Sequence, residues 1–205
     1  DPEALERAVG PKTRAAVLVS PSNPTGHVFS EEELRQMVDF CRRHELLLIC
    51  DEVYDRLAYD VDGPVPSAAQ LCGDDLPVVT LNGLSKNWLL PGARVGWMAF
   101  HNAHLQEAYI ESIGRLANAR LSAPSPQQWA VRPALEGPQD HLVSFRQDLK
   151  VRAQAVADGL AAVPYASVVV PRAAFYAMPR IDLSHPDVSR FANDNEVVLD
   201  WLRRT

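Results

Sequence analysis

AAVLVSPSNPTGHVFSEEELRQMVDFCRRHELLLICD, Ala15 to Asp51, is the stretch that decides the fold class. Ala15–Ser20 is a short apolar run that stops at Pro21 and enters a loop, as a buried strand does. Ser30 followed by Glu33 is a capping-box pair, and Leu34, Met37, Val38 and Cys41 then repeat at helical spacing. A second apolar run, Leu46–Cys50, ends at Asp51. Strand, helix and strand in that order, with both strands apolar throughout, predict a mostly parallel sheet with helices on both faces.

Outward from this unit the same pattern continues. Val78–Leu81 predicts a third strand running into NGLSK, and Val95–Phe100 a fourth. Polar residues stand where the first three strands end: Asn23 after the first, Asp51 after the second, Lys86 after the third. Ligands of open α/β sheets sit at the carboxyl ends of strands, so three different chemistries converge on one rim. Beyond residue 100 the spacing predicts helices over Ala103–Leu121, Gln127–Leu135 and His141–Val163, a strand pair at Ser167–Val170 and Ala174–Met178, and a last helix near Asn195–Arg203. We expect residues 1–142 to be part of a large domain, and residues 143–205 part of a smaller α+β domain.

Composition narrows the function classes. The 205 residues are 47% hydrophobic and 22% charged, an ordinary globular balance. A net charge of -6 without a basic run argues against nucleic acid as a partner. No apolar run is long enough for a membrane span, and the first residues carry no signal-peptide pattern. Cys41, Cys50 and Cys72 form neither a paired framework nor a CxxC, which predicts a reducing, cytoplasmic setting. The chain begins with Asp1 in the lead-in to a helix and ends just after an amphipathic segment, so it reads as a piece of a longer protein.

SPSNPTG (Ser20–Gly26), DEVYDRL (Asp51–Leu57) and LNGLSKNWLLPGARVGWM (Leu81–Met98), in this order and spacing, resemble the core of the class I/II aminotransferases, enzymes of pyridoxal-phosphate (PLP) fold type I. QQWAVRPAL (Gln127–Leu135) and AAFYAMPRI (Ala173–Ile181) are also similar to that family, and the NGLSK form is similar to members acting on alanine and glutamate. The resemblance implies PLP as cofactor, an amino acid and a 2-oxo acid as substrates, and a homodimer. It implies that Lys86 holds the cofactor covalently and then serves as the base for the substrate's α-proton. Asp51 pairs with the pyridine nitrogen and keeps the ring cationic. Tyr54, one helical turn on, and Asn23 hydrogen-bond the ring oxygen. Arg94 clamps the phosphate, with Ser85 beside it.

Blander readings stand beside these. Asp51 alone is a helix cap, NPTG alone is a turn, and GLSK lacks the second glycine and following Ser/Thr of a phosphate loop. His101 and His104 read as solvated or capping residues rather than metal ligands, His27 as a loop residue, Trp88 as packing or pocket wall, and Arg56 as a surface or interface ion pair. The family's glycine-rich phosphate segment, its ring-stacking aromatic residue and its substrate-carboxylate arginine have no match in the chain, and Ala173 stands where the family has glycine. These gaps predict impaired activity for the 205 residues alone. Two alternatives share the same core residues: a PLP-sensing domain of a transcription regulator, and a PLP-dependent C–S lyase. A remnant without function is a third.

Overall fold

The computed structural model describes residues 1–121 and 123–204. A short helix α1 (Pro2–Ala8) leads into a four-stranded sheet of β1 (Ala15–Val19), β2 (Leu47–Asp51), β3 (Val78–Gly83) and β4 (Gly96–His101), in that spatial order. β1, β2 and β3 are parallel and β4 is antiparallel to β3. The register puts Val19, Asp51 and Leu81 in one row at the carboxyl ends of the three parallel strands. The predicted rim therefore exists.

Helix α2 (Glu31–Arg43) starts at the anticipated capping box: the Ser30 hydroxyl accepts from the Glu33 amide at 3.2 Å, and the Glu33 carboxylate accepts from the Ser30 amide at 2.7 Å. Its apolar stripe, Leu34, Val38 and Cys41, packs on Leu18, Leu48, Cys50 and Val78 to form the main core. These four strand residues share one sheet face because side chains alternate along a strand. On the opposite face Phe100 meets Tyr109, while Val17 is 66% and Met98 48% exposed.

The second part of the chain departs from the expected boundaries. Ala103–Leu105 is a single 3₁₀ turn, and the helix proper, α3, is Glu107–Ala119. The predicted Gln127–Leu135 helix is two short pieces, α4 (Ser125–Gln128) and α5 (Val131–Glu136). Helix α6 (Asp140–Ala161) matches its prediction closely, and α7 (Asp194–Arg204) closes the described chain.

The strand pair is β5 (Ala166–Val168) with β6 (Pro179–Ile181), so Ala174–Met178 is not a strand. That stretch is used differently. Ala173 and Ala174 are fully buried, Ala174 takes a left-handed φ of 58°, and its amide donates to the Leu57 carbonyl at 3.0 Å. The segment plugs into the loop after β2 instead of pairing along a sheet. Among the described residues no helix is long and apolar enough to cross a membrane.

Candidate active site

The residues after β2 form the floor of the site. Asp51 is the last residue of β2, and its Oδ1 accepts from the Val53 amide at 3.2 Å. Asp51 has no ion-pair partner among the described residues, although it lies close enough to Tyr54 to act on it electrostatically. Tyr54 is buried, 3% exposed, with its hydroxyl 2.7 Å from that of Tyr176, and the Asn23 side chain is near enough to act on its phenol. Burial first, then the bond to Tyr176, pushes the Tyr54 phenol well above its ordinary value.

Lys86 sits in the connection between β3 and β4. Its Nζ lies 5.8 Å from the Tyr54 ring centre and 5.3 Å from that of Phe175, and no carboxylate among the described residues pairs with it. The backbone around it is closely held. The Leu84 amide donates to the Val95 carbonyl at 3.1 Å, closing the base of the loop. Asn87 is fully buried; its amide nitrogen donates to Asp55 at 2.6 Å, and its carbonyl accepts from the His141 ring at 2.9 Å. Asp55 also accepts from Asn82 at 3.2 Å. One carboxylate thus ties the chain after β2 to positions on both sides of Lys86. Burial raises Asp55, while the two asparagine donors hold it down.

The structure brings Asn23, Tyr54 and Lys86 together, with Asp51 adjoining. It does not bring Arg94 or Ser85 into that group. Arg94 is exposed, adopts a left-handed φ of 55°, and donates to the Pro91 carbonyl within its own loop at 2.8 Å. Ser85 is half-buried in the loop.

The side residues also resolve. His27 pairs with Glu33 at 3.2 Å, Trp88 donates to the Ala134 carbonyl at 2.7 Å, and Arg56 lies over the Trp88 ring. His101 contacts the Thr80 hydroxyl at 3.2 Å. A groove of about 500 Å³ runs between the NPTG turn and residues 169–178, lined by Gly26, His27, Phe29, Val170, Arg172 and Met178; Lys86 and Asp51 do not line it.

Sequence reasoning missed Asp55, Asn87, Phe175 and Tyr176. For the last two a signal existed in the AAFYAMPRI segment, but a strand reading hid it, because alternation of small and large apolar residues looks the same in a strand and in a plug.

Among the described residues, an amine and a strand-end carboxylate, neither with an ion-pair partner, share the buried Tyr54 phenol as neighbour, with the Asn23 amide also near it. That donor set suits a ligand offering a carbonyl carbon to the amine, a protonated ring nitrogen to the carboxylate and an anionic oxygen to the phenol, which PLP does. The aminotransferase class I and II family pattern matches residues 1–199. The chain belongs to that family. It is 41% identical to alanine aminotransferase of Mycobacterium tuberculosis over 201 residues, covering 97% of this chain and 46% of that protein. It is 36% identical to the glutamate-pyruvate aminotransferase AlaA of Haemophilus influenzae, covering 98% and 49%. The fold superposes on an alanine aminotransferase from Pyrococcus furiosus with a TM-score of 0.90 at 32% identity, over 99% of this chain and 50% of that one. The chain spans about half the length of the curated relatives it matches. Members of the family use PLP, act on amino and 2-oxo acids, and are typically dimers.

Proposed function

We propose that this chain supplies the cofactor-binding core of a PLP-dependent aminotransferase that moves an amino group between an amino acid of the alanine, glutamate or aspartate type and a 2-oxo acid. The observation that carries the reading is the Lys86 amine, without an ion-pair partner among the described residues, over the rings of Tyr54 and Phe175, with Asp51 and Asn23 near the same tyrosine. When bound, PLP supplies an electron sink for the electrons left behind as the α-proton departs. The chain's residues do the rest. Lys86 anchors the cofactor and then carries the α-proton. Asp51 offers a fixed anion to the ring nitrogen. Tyr54 and Asn23 hold the ring oxygen, and Arg94 with Ser85 takes the phosphate once the Arg94 guanidinium leaves Pro91.

The names of the relatives favour alanine and glutamate as amino donors. Residues 1–142 act as part of the cofactor-binding domain and 143–205 as part of a smaller one, a division supported by the separate β5–β6 sheet. A second copy completes the pocket, and the three unpaired, buried thiols favour the cytoplasm as its place of work.

The test is transfer from L-alanine to 2-oxoglutarate by the full protein supplied with PLP, with pyruvate as the readout. Pyruvate formation that falls at least ~10²-fold in Lys86→Ala supports the reading, since that is the low end of what a positioned base contributes. Equal turnover in the variant, or no transfer from alanine, glutamate or aspartate, overturns it.

A further inference from the structure

Tyr54 and Tyr176 lie 122 residues apart in sequence, and their hydroxyls meet at 2.7 Å. A phenol has one proton to give and two lone pairs to receive with. Across this contact one hydroxyl donates and the other accepts. With no ligand present, the Tyr176 contact adds to the rise of the Tyr54 phenol, as it does when Tyr54 is the donor. A Tyr54 that kept giving its proton to Tyr176 would have none left for a ligand oxygen above Lys86. We propose that Tyr176 is a positioning residue: when the cofactor's ring oxygen arrives, its hydroxyl turns to donate to the Tyr54 oxygen and so leaves the Tyr54 proton free to point at that ring oxygen. This inference rests on the PLP reading of the site given above.

The backbone holds Tyr176 where this role requires it. Two residues before it, Ala174 is fully buried, its amide bonds the Leu57 carbonyl, and its carbonyl accepts from the Tyr59 hydroxyl at 2.8 Å. The Tyr54 and Tyr176 rings meet edge to face with centres 5.7 Å apart, and Phe175 closes on Tyr54 from a neighbouring angle at 5.6 Å. The clamp comes from the C-terminal part of the chain and the phenol it serves from the loop after β2. The ionisable groups facing Tyr54 are Asp51 from the end of β2, Lys86 from the β3–β4 connection and Tyr176 itself. Among the described residues no other hydroxyl is recorded at bonding distance from the Tyr54 oxygen.

Hydrogen bonds in series strengthen one another, so a Tyr54 hydroxyl that receives from Tyr176 is a better donor. A donor at the ring oxygen favours negative charge there, and that charge is greatest after the nearby cofactor proton has left. Weakening the donor therefore moves the proton's departure to higher pH.

The experiment is a spectrophotometric pH titration of the full protein loaded with PLP, on the parent, Tyr176→Phe, Tyr54→Phe and the double variant, with melting temperatures to show that each is folded. The expected result is a midpoint raised by a few tenths of a pH unit in Tyr176→Phe, the size of a modest loss in one charge-assisted bond. Tyr54→Phe should move it further, and the double variant should match Tyr54→Phe alone. An unchanged midpoint in Tyr176→Phe overturns the inference while leaving the cofactor site standing, and so does an additive shift in the double variant. A parent protein with no Lys86-dependent cofactor band overturns the site reading, and this inference with it.

Discussion

Glu52 follows Asp51, and its carboxylate accepts from the Ser67 hydroxyl at 2.5 Å. Burial pushes it up to about 7 from an ordinary value of 4.5, with Asp55 and Asp51 adding to the rise and Ser67 opposing it. Between those two values the folded chain holds a proton that the unfolded chain has lost, so stability falls as pH rises through that window. Glu52→Gln keeps an acceptor for Ser67 and removes the charge. We expect its melting temperature to exceed that of the parent at pH 8 and to be nearly equal at pH 4.5. A parallel pH dependence in the two proteins would assign the effect elsewhere. At this scale the sequence singled out the candidates for chemistry, because DEVY and NGLSK are recognisable as strings. It did not show Asp55 holding Asn87, since a contact between residues 32 positions apart leaves no trace in spacing. Nor did it show that the exposed Arg94 folds back onto Pro91 within its own loop, where its backbone is left-handed.

At the level of elements, the NPTG turn is more than a chain reversal. Gly26 has a φ of 67°, and a Cβ there would stand 2.4 Å from the Pro171 Cβ and 3.0 Å from the Ala173 carbonyl oxygen. Its own carbonyl accepts from the Arg172 amide at 3.1 Å. The turn is one wall of the socket that takes the Ala173–Tyr176 plug. Gly26→Ala should lose about 2 kcal/mol or more in denaturant unfolding, from the left-handed penalty together with overlap against Pro171. A loss below about 0.5 kcal/mol would mean that the socket is loose. Helix α2 and the four long strands were legible because capping and apolar runs are local signals. The plug was not, because its burial is decided by a partner surface in the loop after β2. The break between α4 and α5 follows from Pro126 and Pro133 in short helical turns, where proline favours the first positions and disfavours continuation.

Over the whole molecule, the candidate site is assembled from four distant places: Asn23 after β1, Asp51 and Tyr54 after β2, Lys86 after β3, and Phe175 with Tyr176 from the far end of the chain. The rim was predictable from strand ends alone, because a parallel sheet sends every strand terminus to the same edge. The return of residues 171–176 to that rim was not, because it depends on the α6–β5 path bringing the chain back over the loop after β2. A site built this way requires the folded chain, which makes covalent capture of the cofactor a stringent readout. The most direct measurement is borohydride reduction of the full protein with PLP, followed by peptide mass mapping. A stable adduct on Lys86 that is lost on unfolding before reduction, and absent from Lys86→Ala, is the predicted result. Label scattered over surface lysines with Lys86 unmodified would contradict the assignment of Lys86 as the cofactor's anchor.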